Sequence, residues 1–166
     1  MVQTAAMNTL LFATTFLAMA GSALMAGLFF VFSNTIMAAL GRLPPPTGIA
    51  AMQSINATIL NPVFFLVFFG TSVLCAGLIV AAILNLSQGW ALPLVAGALC
   101  YLVGSLLLTM VCNVPLNNRL AVAGAGTREA AKIWAEYQQI WTAWNHLRTA
   151  LCLAATGLLT WALYRA

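Results

Sequence analysis

The sequence predicts an all-α fold: an integral-membrane four-helix bundle whose helices project beyond the bilayer on one side. Three observations predict it. Hydrophobic residues fill 63% of 166 positions, against six Lys/Arg and two acidic residues. No residue before Arg42 is charged, and none from Leu43 to Asn118, a composition that a water-facing surface could not tolerate. Finally, four apolar runs each approach the ~20 residues that carry a helix across a ~30 Å hydrocarbon core. Barrel strands would alternate apolar and polar residues, and none of these runs does so.

The first span is expected at about 10–32. It is too long for a cleaved signal peptide and lacks the basic stretch of one, so it is read as retained. "GRLPPPTG" follows, where prolines stop the helix and Thr47 can cap a new one reading "GIAAMQSIN". The second span, about 59–84, carries Asn61-Pro62, where a missing N–H should kink it. A tight turn, "NLSQG", leads to the third span at about 90–111. In "CNVPLNNRLAVAGAGTREA", Pro115 should end that helix and Thr127 cap the next. The last helix is expected from Arg128 to Tyr164, ~55 Å at 1.5 Å per residue, so it must project well past the core. Its membrane part, about 143–164, ends in Trp161, Tyr164 and Arg165, as at a headgroup boundary. Short links leave no room for a second folded unit, and residues 1–166 are expected to form a single four-span domain.

An even number of spans puts the two long links on one side, with both termini and the short turn on the other. Lys and Arg then divide as Arg42, Arg119, Arg128 and Lys132 against Arg165. By the positive-inside rule the long links are cytoplasmic and both termini are non-cytoplasmic, in a membrane expected to be a bacterial inner membrane. The lipid bilayer is thus the first partner predicted. No basic stripe points to nucleic acid.

This topology gathers polar residues at one membrane end: Ser33 and Asn34; Gln53 and Asn56; Asn113, Asn117, Asn118 and Arg119; Asn145, His146 and Arg148. Polar groups inside a membrane are costly and face a bundle interior or a watery cavity, so a polar pocket is expected there. On a helical wheel Trp134, Tyr137, Trp141, Trp144, Asn145, Arg148 and Cys152 share one stripe roughly 100° wide. His146 falls off it, beside Thr142 and Thr149, either at the pocket rim or against another helix. Plainer readings stand beside these. An aromatic stripe can be packing, Arg148 can snorkel to headgroups, Asn117 and Asn118 can serve a turn, and Gln53 and Asn56 can be interhelical glue.

Metal chemistry is poorly supplied. Cys75, Cys100, Cys112 and Cys152 stand singly in or at the ends of apolar runs, and one His with two Glu cannot make the usual three-ligand sites. Cys112, Cys152 and His146 are the one set that helices could assemble. No phosphate loop, dinucleotide fingerprint, triad or carboxylate pair is present, so no metal and no cofactor is predicted.

The stretches "GLFFVFSNTIMAALGRLP", "AMQSIN", "NVPLNNRLA" and "WAEYQQIWTAWNHLRT" together resemble the anthrone oxygenase family of small four-span membrane proteins, also catalogued as a domain of unknown function. Asn113, Pro115 and Asn117 match the family's asparagine-proline loop. Trp134, Trp141, Trp144, Asn145, His146 and Arg148 match its tryptophan, asparagine and arginine helix. Ala38 stands where a proline is expected, and "AVAGAGT" lacks an expected acid, so the cover over the site should differ. The resemblance implies a monooxygenase that oxidises an anthrone to an anthraquinone. The deprotonated substrate is electron-rich enough to meet dioxygen without metal or flavin. Such an enzyme needs an aromatic slot, an acceptor at the C–H and donors for the enolate oxygen.

On that reading Asn145, His146 and Arg148 are the catalytic candidates. Asn145 and Arg148 serve the oxyanion, and His146 or a water on Asn117 serves as base. Trp134, Tyr137, Trp141, Trp144, Asn113, Asn117, Arg119, Gln53 and Asn56 would hold a small hydrophobic aromatic ligand. Two other classes stay open: a small-molecule carrier, and an accessory protein forming a homo-oligomer through Ala23 and Gly27. A polar path through to the other membrane face would favour the first, and a filled core the second.

Overall fold

The computed structural model describes residues 7–166; the N-terminal end of the topology expectation falls partly outside them. Four helices are long and apolar enough to cross a membrane: α1 (Thr9–Gly41), α3 (Pro62–Ile83), α4 (Ala91–Ala121) and α5 (Arg128–Tyr164). A shorter helix, α2 (Pro45–Thr58), joins α1 to α3. No strand occurs among the described residues. The spanning helices pack in a ring, with α1 and α4 each against both α3 and α5. Leu10, Leu17, Leu24, Val63, Leu66, Val73 and Leu92 are exposed on its outside, which is how a surface solvated by lipid reads.

Helix ends follow local chemistry. Asn8 caps α1, its Oδ1 accepting from Leu11 N at 2.9 Å, and Thr127 caps α5, its Oγ1 accepting from Ala130 N at 3.1 Å. Three expected boundaries are corrected. Thr47 does not cap α2; Pro45 and Pro46 open the helix, at positions where an absent N–H costs nothing. The second span is broken rather than kinked. Asn61, held extended before Pro62 (φ −118°, ψ 164°), caps α3 by accepting from Val63 N and Phe64 N. Pro115 does not end the third span. The helix turns π-helical over Leu102–Leu107 and again over Thr109–Asn113, so Pro115 falls in the first turn of a fresh α-helical stretch, Val114–Ala121.

The interior divides into two apolar clusters. One fills the end of the bundle toward the short turn and is rich in small residues, with Ala18, Ala82, Ala98 and Ala155 packed against Leu78, Leu94 and Leu159. The other joins α2 to the projecting ends of α1, α4 and α5 through Met37, Ile49, Met52, Leu120, Trp134 and Tyr137. Buried Asn113, Asn145 and Arg148 lie where the two meet.

Candidate functional site

A cavity of about 320 Å³ occupies this seam, reached by all five helices. That is within the range of small-molecule sites. Its floor is built on α5. The Asn145 amide donates to Phe29 O and Ser33 Oγ, both at 2.6 Å, tying α5 to α1 where α1 turns π-helical over Phe32–Ile36. Those bonds orient its Oδ1 toward Arg148, whose Nη1 donates to it at 3.2 Å. The guanidinium lies over the Phe29 ring, 3.6 Å from the centroid, a cation–π contact. Arg148 is 5% exposed. The chain's two carboxylates, Glu129 and Glu136, are both exposed and at least three turns earlier on the same helix.

The rear wall is an aromatic column. Trp134, Tyr137 and Trp141 recur at helical spacing and stack successively, with centroids 5.7 and 5.8 Å apart, and Phe32 leans on Trp141 at 5.8 Å. Only Trp141 of the three lines the cavity. Tyr137 works from behind: its hydroxyl donates to Asn117 Oδ1 at 2.9 Å, which leaves the Asn117 amide hydrogens for the cavity. Asn113 Nδ2 donates to Trp141 O at 3.3 Å, which leaves its Oδ1 buried without a partner. Trp141 Nε1 and Arg148 Nε are buried without partners too. Three side chains lining one cavity thus carry two free donors and one free acceptor. Buried polar groups are normally satisfied, so these three atoms leave room for water or a bound molecule to meet them.

The remaining walls are largely apolar: Leu28 of α1, Ile59 and Leu60 of the α2–α3 break, and Phe64 of α3. Gln53 and Asn56 complete the cover from α2. The Gln53 amide is spent on Leu120 O at 2.9 Å and Ala123 O at 3.1 Å, so Gln53 lines the site while clamping α2 to the end of α4.

Three expected site residues lie elsewhere. Trp144 is 37% exposed at the edge of its stripe, and His146 is exposed on the outer side of α5. Neither lines the cavity. Arg119 is half-exposed and pairs with Glu136 at 2.7 Å, across the projecting parts of α4 and α5. Cys152 is fully buried while His146 faces out, so that pair does not meet. Among the described residues no three His, Cys, Asp or Glu side chains come together.

Sequence reasoning missed Phe29, Phe64, Thr109 and the Ile59–Leu60 wall. Phe29, Phe64 and Thr109 sit in long, mostly apolar spans, and for Ile59–Leu60 only the following Asn61-Pro62 hinted at irregular backbone bordering a cavity.

The arrangement can hold a flat apolar molecule against Trp141 while a buried cation and an indole N–H meet one of its oxygens. The anthrone oxygenase family model matches residues 64–158, more than half of the chain. No curated protein and no solved structure matches it.

Proposed function

The chain belongs to the anthrone oxygenase family, and from that premise we propose that it oxidises a planar hydrophobic aromatic substrate with dioxygen inside this cavity. The observation that carries the reading is Arg148, a cation buried on the cavity floor with no carboxylate beside it. In the anthrone-to-anthraquinone reaction a ring CH2 becomes C=O. Both hydrogens leave carbon, one atom of dioxygen becomes the carbonyl oxygen and the other leaves as water, so dioxygen takes four electrons. The carbanion is stable only as an enolate, and its oxygen is what a pocket must stabilise. Arg148 and Trp141 Nε1 supply donors for it. Trp141, Phe32 and Phe64 bracket the rings, and Asn113 and Asn117 hold the polar substituents or a water at the other edge.

The closed half of the bundle supports an enzyme over a carrier, since among the described residues its buried hydroxyls Thr15, Ser22 and Ser72 are each spent on a carbonyl of their own helix within a core rich in alanine and leucine. For location we propose a bacterial inner membrane with the cavity toward the cytoplasm and both termini outside it, supported by the uneven division of Lys and Arg between the two ends. Exposed Ala23 and Gly27 on α1 support a close contact with another helix, in a homo-oligomer.

The test of the activity is oxygen uptake with dithranol by the purified protein in mild detergent, against heat-inactivated protein and detergent alone. The expected result is one dioxygen consumed per anthraquinone formed, at a rate proportional to protein. Uptake no faster than the controls refutes the reading.

A further inference from the structure

The cavity holds a positive charge and nothing that could take up a proton. Its lining consists of apolar side chains, amides, a threonine, an indole and Arg148, and none of the described carboxylates, the imidazole or the lysine amine is part of it. The titratable groups that act on Arg148 are Cys152 and Tyr137 on α5 and Tyr101 on α4, with Cys100 of α4 and Cys75 of α3 beyond Cys152. All are thiols and phenols, uncharged at neutral pH by their ordinary ionisation. α1 brings Leu28, Phe29, Phe32 and Ser33 here, and neither α1 nor α2 has a titratable residue. The two hydroxyls are already donating, Tyr101 to Phe68 O at 3.1 Å and Tyr137 to Asn117 Oδ1. The partners Arg148 does have, an amide oxygen and a phenyl face, solvate its charge without neutralising it.

We infer that the cavity takes its ligand already ionised, as a planar lipophilic enolate or phenolate whose proton has gone to water, with Arg148 as counter-ion. The inference rests on the cavity being the ligand site of the oxygenase reading. It replaces proton abstraction by a side chain with selection of the conjugate base. In low-dielectric surroundings a lone buried cation favours an anion strongly, while burial alone would favour the neutral acid. The cation dominates here because two donors without partners, Arg148 Nε and Trp141 Nε1, belong to side chains that line the cavity, and a bond from the guanidinium is strongest when the acceptor is charged as well. The electron-rich form that dioxygen attacks is then the form the pocket concentrates.

The test uses 2-hydroxyanthraquinone, a flat phenol that dioxygen does not oxidise and whose colour reports ionisation. Its spectrum is titrated with pH in detergent alone and bound to the parent protein. The bound dye should ionise at a pH lower by about one to three units, the size expected for an acid beside one opposite charge. Arg148→Lys should keep most of the shift, and Arg148→Gln should lose it. Asn113→Asp, which adds a negative charge in the cavity at nearly constant shape, should lose it as well. A parent midpoint that is unchanged or raised overturns the inference whatever the variants do, as does failure of the dye to bind while dithranol is consumed. If dithranol is consumed and the midpoint does not fall, this inference fails and the oxygenase reading stands. If the midpoint falls without oxygen uptake, the reverse holds.

Discussion

The two ends of this bundle solve opposite problems with the same four helices. Toward the short Asn85–Gly89 turn, alanines and glycines bring the helices close. Ala18, Ala82, Ala98 and Ala155 are fully buried, and a Cβ at Gly97 would lie 3.0 Å from Leu159 Cγ. Lipid tails are as apolar as leucine, so this end is held by van der Waals contact rather than by exclusion of water, and it tolerates no gap. Toward the long links the helices carry π-helical stretches, α3 stops at Pro62, and α2 covers what is left. That end spends its packing on a cavity and on a buried charge. Tight packing at one end lets the other keep a cavity and unpaired buried polar groups.

The contrast breaks first at Arg148. Arg148→Ala should lower dithranol turnover by about 100- to 1,000-fold, the cost of losing one oxyanion donor. Its melting temperature should hold or rise, because an unpaired buried charge costs stability where it stands. Arg148→Lys should lose nearly as much turnover, since an ammonium lacks the planar fork that serves Asn145 and a ligand together. Thermal melts in detergent beside oxygen-uptake rates check both. A variant that fails to fold while the parent is stable would make Arg148 structural.

Gly97→Val should do the opposite at the other end. Its methyls would drive into Leu158 and Leu159, already at Cβ contact of 3.0–3.1 Å, for a stability loss of about 1–3 kcal/mol. Turnover per folded molecule should stay within twofold of the parent. A selective loss of activity in a normally stable Gly97→Val protein would show that the two ends are coupled.

The closed end was legible in the sequence as apolar spans but not as a packing plan, since a helix apolar on every side carries no sign of which face turns inward. The open end was legible where polarity broke the pattern. One wheel drawn on α5 put Trp134, Tyr137, Trp141, Asn145, Arg148 and Cys152 on a single face, and all six are buried. The same wheel put Trp144 in that stripe as well, at its edge, where a few degrees decide between core and lipid, and Trp144 is 37% exposed. Helical breaks were misread for another reason. Pro115 reads as a stop only when the ladder before it is α-helical, and a shift to i→i+5 bonding leaves no mark in composition.

Tyr137 tests whether the column behind the cavity is more than packing. Tyr137→Phe keeps both ring stacks and removes only the hydroxyl that holds Asn117 Oδ1. The loss should be about 0.5–1.5 kcal/mol, the net worth of one such bond. We expect it mostly as a few-fold rise in KM for dithranol, with kcat little changed, because Asn117 then rotates freely. If the variant is slower at saturation and binds normally, Asn117 acts on the reaction and not on placement.

The smallest effect is expected at His146, and it is the most useful to measure. In sequence His146 stood between two pocket residues and was the only imidazole available as a base. In the fold it is exposed on the outer side of α5, off the face that carries Asn145 and Arg148. His146→Ala should therefore leave dithranol turnover within twofold across the pH range of histidine titration, and the stability change should be within about 0.5 kcal/mol, as for other surface positions. The pH profile matters more than the single rate, since a base in the cavity would impose an inflection near its own ionisation, whereas a pocket that selects anions inherits the inflection of the substrate. Replacing dithranol by a more acidic anthrone should then move the inflection, in the parent and in His146→Ala alike. An inflection that stays put when the substrate changes, and disappears with His146, would put the base outside the cavity described here and reassign Arg148 to holding the product.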